Sequence, residues 1–527
     1  MANLDCSELT GTLNAMCVAL FDAANPLTNT CNGLSYIGAG DVCLNYTSPD
    51  EKMAGQLGNQ ANLNTGNTTW MLVATAFVMI MTPGVGLFYG GLSGQTNVSN
   101  TILMCFVTMC VVSIQWFLFG YSFAFGPGNN AFGSFQYGAL TGIGGAPSGA
   151  SGIAIPHLIF VAFQCMFAQI TPALIAGGVI GRMRFSRFIL FVLIWTTVVY
   201  DPLAHWLWSI DVDDTGAAAA NGWLNALGAA DFAGGTVIHI SSGFAALAAA
   251  LVLGKRREYG TPLKPHNVPM VVIGASLLWF GWFGFNAGSA GGAAGFSYND
   301  FLNNLASFAF INSHLAAGVA SFSWMVCEKL FDGTPTAAGA ASGIVAGLVA
   351  ITPGCGYVLP WAAVLFGLFV SPFCYAACKL RNKLQIDDTL DSWAVHGIGG
   401  MVGAFMTGIF ATPDVNAPYT GAIYGRPVML GYQMAAITVA SSFSFTLTLV
   451  MLIIMKKTIG IRVSEEVEDE GLDMSEHGGK AYDTGEIMPD KEPAIGFTIT
   501  PAATIETENP VASREASDAK HKKEEDV

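Results

Sequence analysis

Charge is scarce in this chain: only 11% of its 527 residues are Asp, Glu, Lys or Arg, where an ordinary soluble domain carries about 25%. With 52% apolar residues and a mean hydropathy of +0.49, a soluble multi-domain enzyme is a poor fit. Basic residues are the scarcer sign, 22 Lys and Arg against 37 Asp and Glu, and the net charge is −15. No basic patch is present to neutralise phosphates, so nucleic acid is not an expected partner. An HExxH pair is also missing, which argues against an intramembrane metal-dependent hydrolase, and neither a metal nor a cofactor is expected. The eleven cysteines form no CxxC pair. Four of them (Cys6, Cys17, Cys31 and Cys43) lie in a polar N-terminal segment, where three pairings remain open. The chain begins acidic rather than basic, so no cleavable signal peptide is expected and the first apolar span should target it.

What is plentiful is long uncharged sequence. Runs of 18 or more apolar residues call for membrane helices, and about eleven spans can be drawn. Their approximate limits are 70–91, 101–126, 154–181, 188–210, 230–254, 267–290, 301–327, 336–352, 359–378, 392–412 and 428–455. Glycine is abundant (62 residues), as close helix packing in lipid requires. Gly339, Gly343 and Gly347 recur every fourth residue and should form one contact face.

Lys and Arg set the expected orientation. Arg182, Arg184 and Arg187, then Lys255, Arg256, Arg257 and Lys264, all follow odd-numbered spans. So do Lys329, the 379–383 cluster and the 456–462 cluster. By the positive-inside rule these loops are cytoplasmic, the N-terminus is outside and the C-terminus inside. The sequons at Asn45 and Asn67 agree with an outer N-terminus, although Asn97 matches the same pattern in an inner loop.

Two stretches stand out. Asp231-Phe-Ala-Gly-Gly-Thr-Val-Ile-His239 and Asp391-Ser-Trp-Ala-Val-His396 each put an acid and a histidine into glycine-rich apolar sequence. Eight helical positions correspond to about 12 Å of rise, so Asp231 is expected near one end of a span and His239 near its middle. Ionisable groups at that depth are functional by default. Spans one to five and six to ten look like two halves, each ending in one such histidine span. Five is odd, so the halves must be inverted, with a substrate path near the midplane between them. The eleventh span is extra. The architecture expected is an all-α membrane protein of eleven transmembrane helices, two inverted five-helix repeats plus one. The expected domains are an outer segment (1–66), a membrane domain (67–456), a cytoplasmic regulatory tail (457–482) and a disordered acidic end (483–527).

Read with their neighbours, these stretches resemble the ammonium transporter (Amt/Mep/Rh) family. The resemblance spans roughly residues 70–482 and is carried by Thr82-Pro-Gly-Val-Gly-Leu-Phe-Tyr-Gly-Gly91, Gly120-Tyr-Ser-Phe-Ala-Phe-Gly126 and Val161-Ala-Phe-Gln-Cys-Met-Phe167. It continues through the Asp231 and His396 stretches, Gly281-Trp-Phe-Gly-Phe-Asn-Ala-Gly-Ser289 and the Gly471–Tyr482 tail. It implies a homotrimer in the plasma membrane that takes up ammonium.

The resemblance also assigns residues. Trp208, Phe163 and Ser289 match an outer recruitment site, where a cation over an aromatic face gains about 0.5–2 kcal/mol. Asp231 matches a buried aspartate beneath that site. Phe167 and Phe285 match a stacked pair of rings closing the mouth, and Trp282 lines the path below. His239 and His396 match a twin-histidine pore, while His157, His205 and His314 are read as structural. A bare cation in an apolar tube is costly, so the cation should give up its proton and cross as ammonia. Retention of Trp208 and Ser289 favours net charge movement over an electroneutral gas channel; a sensor with little flux is the remaining alternative. Ser475, in the tail, stands where plant-type members carry a phosphorylatable threonine. A phosphate beside Asp473 and Glu476 would add about −1.5 to −2 charges and undock the tail.

Overall fold

The computed structural model describes residues 63–147, 154–212, 218–220, 222–260, 265–293 and 304–482, with four short strands before residue 45. Cys6, Asn45 and the stretch 483–527 lie outside the described residues, as do the side chains of Cys17, Cys31 and Cys43.

Helices dominate the described residues. Ten are long and apolar enough to cross a membrane, from Thr65–Leu92 to Val428–Thr458. Ala337–Ile351 is a shorter apolar helix of 15 residues, at 1.5 Å per residue about 22 Å long. Ten of the eleven expected spans coincide with long helices, and the expected span 336–352 coincides with this shorter one. It packs closely: Gly343 and Gly347 press it against Ser321, Ala316 and Ala320 of the helix Leu305–Phe331, where a Cβ would collide. Gly339 faces the same helix at Glu328. Small residues at fourfold spacing have let the two backbones meet.

Three two-stranded antiparallel pairs occur among the described residues. One, Ile210–Val212 with Ala218–Ala220, joins two membrane helices. One sequon does not fit a glycan: Asn67 lies in the first turn of Thr65–Leu92, only 6% exposed.

Four helices contain π turns. They span Trp116–Gly120, Thr196–Tyr200, Gly235–Ile240 and Trp393–Ile398. Two of these four carry His239 and His396. A π turn inserts an extra residue into the helical ladder and re-aims the side chains around it, which is why such turns gather at functional sites.

Candidate functional site

Each histidine is positioned by a carboxylate that lies outside its helix. Asp231 does not sit two turns along the same helix as His239, as the spacing suggested, because the helical segment begins only at Gly235. Instead its carboxylate accepts from the backbone N–H groups of Gly234 (3.0 Å), Thr236 (2.9 Å) and Val237 (3.0 Å). It is a helix cap, answering donors that have no partner within the helix. Asp388 performs the same service for the other histidine, accepting from Trp393 N–H at 2.7 Å. Burial, with Asp391 beside it, pushes the Asp388 carboxyl up to about 6.

Glycine brings the two segments together. A Cβ on Gly243 would overlap the Gly397 backbone nitrogen, and one on Gly400 would lie 3.2 Å from His239 Cβ. At this contact the rings of His239 and His396 stand 5.4 Å apart, 22° from parallel. Their Nδ1 atoms are 3.3 Å apart, and both rings are buried. One Nδ1 must donate and the other accept.

The remaining residues picked out in the sequence continue from this pair in a line. Trp282 stacks on His239 at 5.3 Å, and its indole N–H donates to Thr352 Oγ1 at 2.9 Å. Phe285 lies 6.2 Å from His239, and Phe167 stacks on Phe285 at 4.1 Å, 11° from parallel. Phe163 and Trp208 each touch Phe167, at 4.8 and 6.1 Å. Trp208 donates its indole N–H to the Asp231 carbonyl at 2.9 Å, which ties the tryptophan to the cap of the His239 segment. Ser289 donates its hydroxyl proton to the Phe285 carbonyl at 2.9 Å, leaving its oxygen free to accept. Phe163, Phe167, Trp282 and Phe285 are all buried.

Beside the histidines the lumen is narrow. About 10 Å³ is open to a water-sized sphere, lined by apolar side chains such as Val85, Leu278 and Val345 together with both imidazoles. That is about one water's space. Past His396 it widens into a cavity of ≈ 620 Å³, where Arg256, Arg381, Asp387 and Asp391 supply charge. The buried Arg182 braces this wider end, donating to Gly178 and Asp387 carbonyls and to Thr389 Oγ1.

Residues 69–482 match the model of the Ammonium Transporter Family. The chain belongs to the ammonium transporter family. It is 42% identical over 421 residues to an ammonium transporter of Bacillus subtilis (strain 168), covering 79% of this chain and 98% of that one. The crystal structure of Saccharomyces cerevisiae Mep2 superposes with a TM-score of 0.70 at 37% identity, covering 77% of this chain and 89% of that one. A solved Sensor Amt Protein matches with a TM-score of 0.70 at 29% identity, over 78% of this chain and 98% of the other. As a family member the protein is a multi-pass membrane protein, and its curated relatives in Bacillus subtilis and Aquifex aeolicus are named ammonium transporters.

Ser475 lines neither cavity. The tail helix Leu472–His477 lies against the membrane domain, and its carboxylates cap two membrane helices. Asp473 accepts from Val98 N–H (2.9 Å) and Asn100 N–H (2.8 Å), and Glu476 accepts from Phe185 N–H (3.1 Å). Ser475 lies between them, its hydroxyl donating to the Gly471 carbonyl. Sequence reading missed this capping because it joins segments far apart in the chain, and that by Asp388 because it acts on a nearby backbone N–H. It also missed Thr352, whose only local signal is its place at the end of a glycine-rich span. Of the histidines read as structural, His205 directs its nitrogens at the Ala124 and Asn129 carbonyls and His157 meets Tyr121. His314 stacks on Trp279.

Proposed function

We propose that the transporter moves ammonium into the cell by having it surrender its proton at the histidine pair and conducting neutral ammonia onward, the proton following along the imidazoles. The observation that carries this reading is the Nδ1–Nδ1 contact of His239 and His396 inside an apolar, nearly filled lumen. A proton arriving on Nε2 of one ring releases the Nδ1 proton to its neighbour, which lets go of its own Nε2 proton. Charge moves without a cation entering the apolar section, where it would cost several kcal/mol or more.

The mouth suits recruitment of the cation. Trp208 and Phe163 offer aromatic faces to a cation, and Ser289 offers a hydroxyl oxygen. The stacked Phe167 and Phe285 close the way to hydrated ions. Potassium, which has no proton to surrender, is rejected.

The transporter is read as eleven spans, Ala337–Ile351 being the short eighth, with the N-terminus outside the plasma membrane and the C-terminus in the cytoplasm. Two carboxylate-capped π segments, each bearing one histidine and approaching from opposite halves of the chain, support an inverted repeat. Three copies are expected to assemble: His314 is exposed on the helix Leu305–Phe331, and a neighbouring subunit would keep it from lipid. Residues 1–66 form the outer segment, 457–482 a regulatory tail and 483–527 an acidic end. Phosphorylation of Ser475 would set negative charge between Asp473 and Glu476 and expel the tail by repulsion.

The test is current. Purified protein in proteoliposomes should give an inward current on an ammonium step and none on a potassium step. Ammonia flux without current would establish the gas-channel reading. A second reading, ammonium sensing, is favoured by the likeness to the Sensor Amt Protein, and ammonium binding with neither current nor flux would establish it.

A further inference from the structure

Away from the lumen, a carboxylic acid is buried between two membrane helices with no ion-pair partner among the described residues. Asp201 is 0% exposed and opens the helix Asp201–Trp208, directly after the π turn Thr196–Tyr200. Gln115 is 1% exposed and closes the helix Val98–Gln115, directly before the π turn Trp116–Gly120. Gln115 Nε2 donates to Asp201 Oδ2 at 2.6 Å, with a longer contact to Thr197 Oγ1 at 3.3 Å. The pair lies one layer beneath an apolar surface, since Ile114, Phe117, Leu118 and Val198 are all exposed.

Three buried polar atoms here have no hydrogen-bond partner: Asp201 Oδ1, Gln115 Oε1 and the Tyr200 hydroxyl. Two of them are acceptors belonging to side chains already joined by their other atoms. Each of these two acceptors, left bare in a low-dielectric interior, forfeits its hydrogen bond. No ion pair formed by Asp201 occurs among the described residues. His205, one turn further on, directs Nδ1 to the Ala124 carbonyl and Nε2 to the Asn129 carbonyl. Gly120 keeps the place open, because a Cβ there would overlap the Gln115 amide.

We propose that Asp201 is a proton-binding site off the conduction path: its carboxyl carries a proton on Oδ1 that it donates to Gln115 Oε1. The amide donates back to Oδ2, and the two side chains close a neutral acid–amide ring. One proton thus satisfies both orphaned acceptors and removes the charge that the membrane interior penalises. The ring ties two helices at the points where their π turns meet. It thereby holds the start of the short helix whose far end bears Trp208. Folding takes up this proton from neutral solution, so the latch must weaken as pH rises.

Infrared spectroscopy of the reconstituted full-length transporter tests this without reference to transport. At pH 7 the wild type should show a protonated-carboxyl C=O band that shifts in D₂O and disappears in Asp201→Asn. In Gln115→Leu the band should persist at a higher frequency, the acceptor having been lost. If Asp201→Asn does not fold, wild-type protein grown on carboxyl-¹³C aspartate, compared with Gln115→Leu, assigns the same band. A second readout is Tm across pH 5–9: the wild type should lose stability relative to Asp201→Asn as pH rises. A carboxyl region unchanged by Asp201→Asn, a band that vanishes on adding sodium or potassium, or a pH-independent Tm difference would each overturn the proposal.

Discussion

His239 and His396 meet through the same atom, Nδ1 to Nδ1 at 3.3 Å. Two neutral imidazoles can satisfy that contact only if their tautomers differ: one presents a bare Nε2 at its far side and the other an N–H. The pair therefore has a direction, and each proton passed reverses it. Twin glycines, Gly243 and Gly397, let the backbones come close enough for the rings to do this.

Breaking the pair should stop current before it stops folding. His396→Leu preserves apolar packing but removes the inner acceptor. A loss of at least about tenfold in ammonium current is expected, the effect of ~1.4 kcal/mol on a barrier. Thermal stability should stay near that of the wild type. Electrophysiology on proteoliposomes and a melting curve check the two halves of this expectation.

The ring stack is the barrier to hydrated cations. Phe285→Ala removes the partner of Phe167 and leaves a cavity next to His239. Potassium conductance should appear where the wild type has none, at a stability cost of about 3–5 kcal/mol for a buried Phe. A variant that remains potassium-tight would show that exclusion resides elsewhere.

Capping by Asp231 can be separated from its charge. Asp231→Ala abandons three backbone donors and should cost about 0.5–2 kcal/mol. Asp231→Asn keeps one acceptor oxygen and should recover part of that stability while raising the ammonium concentration for half-maximal current. Equal KM values for wild type and Asp231→Asn would mean that the negative charge plays no part in recruitment.

The tail should respond to acid. Burial holds the His477 ring below its usual value, against the opposing pull of Glu476 and Asp473. It also contacts Asn100 (2.8 Å) and packs edge-on to Phe185. A histidine whose docked form resists protonation favours docking above its free value of about 6.5 and opposes it as pH falls below that. Limited proteolysis between residues 458 and 482 should therefore speed up from pH 7.5 to 5.5, and His477→Gln should flatten that dependence. Ser475→Asp should give fast cleavage at both pH values.

Much of this could be read from the residues. Long uncharged runs announced the membrane helices, and the matched acid–histidine stretches singled out His239 and His396. The Phe, Trp and Ser positions came through resemblance, and in the structure they line up from Trp208 to His396. Hydrophobic patterning says nothing of π turns, since an inserted residue leaves the composition of an apolar run unchanged. For the same reason Asp231 was expected on its helix rather than ahead of it. Asp388 and Asp473 act on backbone N–H groups, which a sequence does not display. The Gln115–Asp201 pair was passed over because each half, alone, looks like an ordinary polar interruption of a span.

The most direct measurement is the current evoked by equal ammonium and potassium steps in proteoliposomes containing wild type or His396→Leu. The expected result is an ammonium current in the wild type, none with potassium, and loss of the ammonium current in the variant. An undiminished current in His396→Leu, or a wild-type potassium current of similar size, would contradict proton transfer through the paired imidazoles.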